Sequence, residues 1–304
     1  MATRPTAHGG PIRRMTRIRY YRIVVTVSTK SSSTDHAVAA PAPAADSAGR
    51  PPDGIRIEGV ARSFVKDGRR RYAIRDLDLD IESGSFVVVL GRSGCGKSTL
   101  LNMIAGLSRP DHGRISYRGE EIAGPRTDLG YLTQHDTLMP WRTLRRNIEL
   151  PLELRGVPAA QRRRRATELI ARVRLDDFEE HYPRELSGGM RRRAGLARML
   201  CAEPEALLMD EPFGALDAQL RQELQADLLR LWHGSGKTVV FVTHDLDEAL
   251  CLGDRVVVLG RGGRLVLDEP VRLPRPRDLD RVRLEPAFVA SHQRLTAALR
   301  SDAS

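Results

Sequence analysis

The sequence predicts an α/β protein: a mostly parallel sheet covered by helices, with an antiparallel β-subdomain and a helical subdomain beside it. Three observations lead there. Short continuous apolar runs, such as Phe86-Val87-Val88-Val89-Leu90 and Val239-Val240-Phe241-Val242, have the character of strands buried on both faces. Runs of this kind alternate with helical stretches, the pattern of a parallel sheet. Two strand-like stretches, residues 55–60 and 77–81, have no helix between them, which favours antiparallel pairing.

Taken in order, residues 55–60 and 86–90 read as strands and residues 97–106 as a helix. Residues 114–117 and 129–132 read as short strands, and residues 159–173 as a polar, arginine-heavy helix. The apolar run at 206–209 is another buried strand. Residues 218–232 are helical, because Leu220, Leu224, Leu228 and Trp232 recur every four residues on one face. Residues 239–243 and 255–259 complete the strands, and residues 271–304 read as a short tail, helical near 286–299. The globular part is placed at 55–270, with a helical subdomain at about 135–195. Residues 1–54 read as a disordered extension: a basic stretch, then a segment rich in Ala, Pro and Ser that lacks the apolar surface needed to fold.

Charge and cysteine content narrow the function. The chain has 304 residues and a formal charge of +10. Residues 1–50 hold eight basic and two acidic residues, a net +6, so most of the surplus lies outside the predicted globular part. A basic surplus can signal nucleic acid, but in that position it says little about the folded domain. Of the 49 basic residues only Lys30, Lys66, Lys97 and Lys237 are lysines. No apolar run approaches the roughly 18–20 residues needed to span a bilayer. Three cysteines without CxxC spacing argue against a disulfide framework or a zinc site.

Gly91-Arg92-Ser93-Gly94-Cys95-Gly96-Lys97-Ser98, followed by Thr99, matches the phosphate-loop pattern GxxxxGK[ST] between a buried strand and a helix. Glycines let successive backbone N–H groups turn toward phosphate oxygens, and the helix adds its positive N-terminal end. Lys97 supplies a cation for the β- and γ-phosphates and Ser98 a hydroxyl for Mg²⁺. The fold is thus a P-loop NTPase core. The run Ala206-Leu207-Leu208-Met209 delivers Asp210 and Glu211 at the ligand-binding end of a strand. Asp210 is placed to hold the metal and Glu211 to polarise the attacking water.

With these residues in place the chain resembles the ATP-binding cassette (ABC) ATPases. Leu186-Ser187-Gly188-Gly189-Met190 resembles their signature motif, Gln134 the Q-loop glutamine, Ala215-Leu216-Asp217 the D-loop and His244 the switch histidine. Phe64, 27 residues before Gly91, stands near the place of an adenine-stacking aromatic. The resemblance implies nucleotide contacts from Gly91 through Thr99, and a catalytic set of Lys97, Gln134, Glu211 and His244. It implies Mg²⁺ at Ser98, Gln134 and Asp210. It also implies a homodimer that sandwiches two ATP molecules, with Ser187, Gly188, Gly189 and Asp217 serving the partner's nucleotide. One departure stands out: Arg192 occupies a position where the family usually has a neutral polar residue.

The segments Tyr131-Leu132-Thr133-Gln134, Leu138-Met139-Pro140-Trp141-Arg142-Thr143 and Leu208-Met209-Asp210-Glu211-Pro212-Phe213-Gly214 look like the nitrate/sulfonate/taurine importer subfamily. That resemblance implies separate integral-membrane permease chains, an extracytoplasmic solute-binding protein acting through them, and a location on the cytoplasmic face of the inner membrane. Two placements are open for Trp141: an exposed anchor for the permease, or a place in the core of the helical subdomain. The alternative function, a non-transport ATPase acting on nucleic acid or ribosomes, is disfavoured by the 90-residue gap between Lys97 and Ser187, which carries no heptad region.

Overall fold

The computed structural model describes residues 54–302 apart from Asp67, Asp136 and Ala215. All but Gly54 of the expected N-terminal extension lies outside the described residues. Two sheets organise the chain. Strands β1 (Ile55–Lys66), β2 (Arg69–Ile81), β4 (His112–Tyr117) and β5 (Glu120–Glu121) form an antiparallel sheet in the order β2-β1-β4-β5. The second sheet runs β10-β9-β3-β8-β7-β6, from β3 (Phe86–Gly91), β6 (Leu129–Leu132), β7 (Ala206–Asp210), β8 (Thr238–Thr243), β9 (Arg255–Leu259) and β10 (Leu265–Pro270). All its neighbours are parallel except β10, which pairs antiparallel with β9.

Every residue of β3, β7 and β8 is buried, as a strand covered on both faces requires. One apolar layer lies on the side of α5 (Ala218–Trp232), α6 (Leu246–Leu252) and α7 (Pro286–Ser301), where Phe86, Met209, Phe241 and Leu228 meet. The opposite layer packs α1 (Lys97–Ile104) and the antiparallel sheet through Ile57, Ile74, Leu101 and Val240. A third core holds α2 (Leu144–Leu154), α3 (Ala159–Arg172) and α4 (Gly188–Cys201) together through Leu144, Ile148, Leu169, Ile170 and Ala197. This is the predicted helical subdomain.

Helix starts follow local chemistry. Thr143, Ser187, Asp217 and Asp245 are the N-caps of α2, α4, α5 and α6, each accepting the backbone N–H three residues on. Such a cap is worth about 1 kcal/mol. Residues beyond β10 continue the fold: Val271, Leu273, Leu279, Val282, Phe288 and Leu295 are buried in the same core as β3 and β8. Arg275 and Arg277 donate to the last carbonyls of α6, at Leu252, Leu250 and Cys251. The stretch expected to be a tail is therefore built into the domain.

Candidate active site

Strand register brings the predicted residues to one edge. Leu90 pairs with Thr243, Asp210 with Val242, and Met209 with Leu132. The C-terminal ends of β3, β8, β7 and β6 thus lie side by side, carrying the phosphate loop, His244, Asp210-Glu211 and Gln134. In open α/β sheets this is the edge where ligands bind.

The loop from Gly91 to Ser98 curls as its glycines allow. Gly94 and Gly96 have φ of 82° and 112°. At Gly96 an added Cβ would sit 2.1 Å from the Ala73 carbonyl oxygen of β2, so both conformation and space exclude a side chain. Arg92, Ser93, Gly94 and Ser98 are exposed; Cys95 and Lys97 are buried, and Gly96 and Thr99 half-buried. Burial pushes the Cys95 thiol above its ordinary pKa, the opposite of an activated thiolate. Lys97 Nζ donates to the carbonyls of Gly91 at 2.7 Å and Arg92 at 3.0 Å. An ammonium is thereby held against the phosphate loop at the N-terminus of α1.

Glu211 is the hub. Its Oε2 accepts from Gln134 Nε2 at 3.2 Å. Its Oε1 lies 3.2 Å from His244 Nδ1 and 3.9 Å from Lys97 Nζ. The residue adopts φ 44°, the left-handed region, unusual for a non-glycine residue. Its N–H donates to the Val242 carbonyl at 3.0 Å, which ties that turn to β8. Strain of order 1–3 kcal/mol is typical of such positions where function requires one geometry.

Asp210 is buried. Burial raises its pKa; a hydrogen bond from Ser98 and the charges of Lys97 and Arg192 oppose that rise, while Glu211 adds to it. Its Oδ1 is buried with no hydrogen-bond partner among the described residues. A buried carboxylate oxygen without a donor, beside a serine hydroxyl and a second carboxylate, suits a hard divalent cation with oxygen ligands.

Other predicted residues stand apart from this cluster. Ser187 and Asp217 cap α4 and α5, and Ser187 and Gly188 are exposed. An added Cβ at Gly189 would meet Leu220 Cδ2 at 2.6 Å, so the signature start lies against α5. The hydrogen bonds and ion pairs that join Lys97, Gln134, Glu211 and His244 do not reach Ser187, Gly188, Gly189 or Asp217. Phe64 is exposed on the β1–β2 hairpin, with the Arg62 guanidinium 5.1 Å from its ring centre. That hairpin also carries Ala73, against Gly96. Trp141 is 66% exposed, so the surface placement is the observed one.

Two features were not singled out as functional from sequence. Thr243 Oγ1 and Gln225 Nε2 both donate to the buried Glu248 carboxylate, a polar network directly behind His244. The spacing of Asp245 and Glu248, a helix-cap pattern, is its one sequence signal. Arg192 and Arg198 of α4 donate to the backbone around Gln134.

A phosphate loop, a buried lysine, an adjacent acidic pair and a glutamine and histidine converging on one carboxylate define a P-loop ATPase. The family described as ABC transporter matches residues 74–214. The taurine import ATP-binding protein of Pseudomonas aeruginosa is 47% identical over 222 residues, 73% of this chain and 84% of that protein. The aliphatic sulfonates import ATP-binding protein of Bacillus licheniformis is 44% identical over 242 residues, 79% of this chain and 92% of that protein. A solved ATP-binding cassette, a dimer in a post-hydrolysis state bound to ADP and Pi, superposes with a TM-score of 0.67 at 32% identity, covering 72% of this chain and 99% of that one. The chain belongs to the ABC transporter family, as an ATP-binding, ATP-hydrolysing subunit. Among the described residues no helix is long and apolar enough to cross a membrane.

Proposed function

We propose that this ATPase powers import of a small anionic solute of the sulfonate or taurine class, working as a homodimer on separate permease chains at the cytoplasmic face of the membrane. The solute class rests on the relatives whose names carry it. The catalytic reading rests on one observation: Glu211 is met by Lys97, Gln134 and His244 from three other segments.

Backbone N–H groups of Gly94 through Thr99 and the α1 N-terminus receive the triphosphate, and Lys97 neutralises its β- and γ-oxygens. Phe64 offers its exposed face to the adenine. Ser98 and Asp210, with Gln134, hold Mg²⁺, which supplies positive charge to the phosphate oxygens. Glu211 orients and deprotonates the attacking water, and His244 hydrogen-bonds at the γ-phosphate. Ser187, Gly188 and Gly189 open the N-terminus of α4 outward, where it suits the γ-phosphate held by the second subunit, and Asp217 works across the same interface.

Trp141 is the permease anchor. The loop that presents it is pinned by fully buried Asn147, which accepts from Met139 N at 2.7 Å and donates to the carbonyls of Met139, Arg142 and Thr143. Arg142 pairs with Glu153 on α2 at 2.7 Å. A large aromatic on a rigid loop suits a docking site, because little ordering cost remains to be met on binding.

The test is growth of a deletion strain on taurine or an aliphatic sulfonate as sole sulfur source. Loss of growth, restored by the wild-type gene and not by Lys97→Ala, is expected. Undiminished growth of the deletion strain on these compounds refutes the solute assignment, and restoration by Lys97→Ala refutes the role of the phosphate loop.

A further inference from the structure

Arg192 stands where the family usually has a neutral polar residue, and its long side chain brings two separate donor nitrogens to one loop. It reaches from the second turn of α4 to the loop after β6, where Nη1 donates to the Thr133 carbonyl at 2.6 Å and Nη2 to the Gln134 carbonyl. One guanidinium thus holds two successive carbonyls. Those carbonyls point in opposite directions in an extended strand, so a single fork reaches both only when the chain has turned. Thr133 Oγ1, donating to the His135 carbonyl at 2.9 Å, belongs to the same turn. Two turns along α4, Arg198 grips the next part of the segment through the carbonyl and hydroxyl of Thr137.

What the clamp holds matters. Gln134 Nε2 donates to Glu211 Oε2 at 3.2 Å, and Gln134 itself is exposed, so its backbone position decides whether that bond forms. The same end of α4 begins at Ser187, five residues before Arg192, and the Ser187 hydroxyl caps the helix. A rigid helix with fork contacts therefore connects the signature segment, the loop of Gln134 and the carboxylate of Glu211. The same clamped segment runs on into Leu138 and the loop of Trp141.

We infer that Arg192 is a positioning residue for ATP hydrolysis: its fork locks the loop after β6 in the turn that brings Gln134 to Glu211, and couples that loop to the start of α4. The inference rests on the role given above to Gln134. A side chain that sets geometry at the reacting centre without holding ground-state nucleotide acts on kcat and leaves KM alone.

The experiment measures ATP turnover of the purified full-length chain, with kcat and KM for MgATP taken separately and folding followed by thermal melting. Arg192→Ala is expected to lower kcat about tenfold to a hundredfold, the scale of a misplaced catalytic group, with KM changed by less than about twofold. Arg192→Lys keeps the charge but not the planar fork, and its kcat falls between those of Arg192→Ala and wild type. Gln134→Ala, measured in parallel, separates this inference from the reading it rests on. Lowered kcat in both variants supports both. Wild-type kcat in Arg192→Ala with lowered kcat in Gln134→Ala overturns the clamp alone, and wild-type kcat in both overturns the two together. Loss in Arg192→Ala with none in Gln134→Ala overturns the route through Gln134. Should Arg192→Ala not fold, Arg192→Lys decides: a lowered kcat at unchanged KM supports the clamp, and a wild-type kcat overturns it.

Discussion

Replacing Glu211 by glutamine tests the catalytic centre most directly. The substitution is nearly isosteric, so the turn at φ 44° and the packing of the 15%-exposed side chain are kept. What changes is charge. The carboxylate lies 3.2 Å from His244 Nδ1 and 3.9 Å from Lys97 Nζ. At that separation and an effective dielectric near 20, two unit charges interact by about 4 kcal/mol, an upper figure for a partly exposed pair. Glu211→Gln removes that hold on Lys97 and removes an anion from beside the incoming phosphates; both changes favour bound ATP. Water activation is lost at the same time. General-base catalysis contributes about 10²–10⁴-fold, or roughly 3–5 kcal/mol of barrier. The expected variant therefore binds MgATP at least as tightly as wild type, hydrolyses it at least about a hundredfold more slowly, and accumulates as an ATP-bound dimer. Phosphate release under saturating MgATP gives the rate, and light scattering with and without ATP gives the mass. Hydrolysis at the wild-type rate would refute the assignment of Glu211 as base. Slow hydrolysis without any ATP-dependent dimer would refute the shared-site arrangement of Ser187, Gly188 and Gly189.

Two further outcomes are expected. Trp141→Ala leaves basal ATPase intact, because Trp141 lies on the surface away from the Glu211 cluster, and weakens permease association by about tenfold, the lower range of an interface anchor; undiminished permease-stimulated turnover would rule out docking there. Glu248 has its pKa raised chiefly by burial, against the hydrogen bonds from Thr243 and Gln225. A carboxyl with a raised folded pKa stabilises the fold when protonated, and that contribution is lost as pH rises through the folded pKa. Wild type should thus gain in melting temperature relative to Glu248→Gln as pH falls from neutral toward the carboxylate range; a difference independent of pH would contradict this.

The parts legible in sequence share a physical reason. β3, β7 and β8 are apolar throughout because both their faces are covered, and α5 repeats its leucines because one face is. The outer halves of β1 and β2 were invisible, since Arg69, Arg70 and Arg71 project into solvent and leave no alternation to read. α2 was hidden by Pro151, which ordinarily ends a helix but lies inside this one. Residues 271–285 bury Val271, Leu273, Leu279 and Val282 from irregular backbone and one short 3₁₀ turn, where neither period of 2 nor 3.6 applies. At the site, the motifs themselves were legible because phosphate chemistry dictates residue type at fixed short spacing. The contacts that unite them were not. Ser98 meets Asp210, Gln134 meets Glu211 and Arg192 meets Gln134 across separations in sequence that only the sheet register and the packing of α4 close.

Junctions between elements use much of the arginine chemistry seen in the structure. Arg155 bridges the carbonyls of Ala202 and Thr127, Arg193 those of Val173 and Arg174, and Arg277 those of Leu250 and Cys251. Arg192 does the same at Thr133 and Gln134. Each guanidinium closes a junction between elements by donating to two backbone oxygens, Arg155 and Arg192 through both terminal nitrogens as a planar fork and Arg193 and Arg277 through Nη1 alone. These four arginines serve the domain's own backbone. Lys97 is the informative exception. Its ammonium sits on two carbonyls, Gly91 and Arg92, by rotatable donors on a flexible stem. A compact cation with rotatable donors can turn from these carbonyls to arriving phosphate oxygens. At position 97 the two carbonyl partners of the ammonium lie in the phosphate loop itself, where phosphate oxygens can replace them.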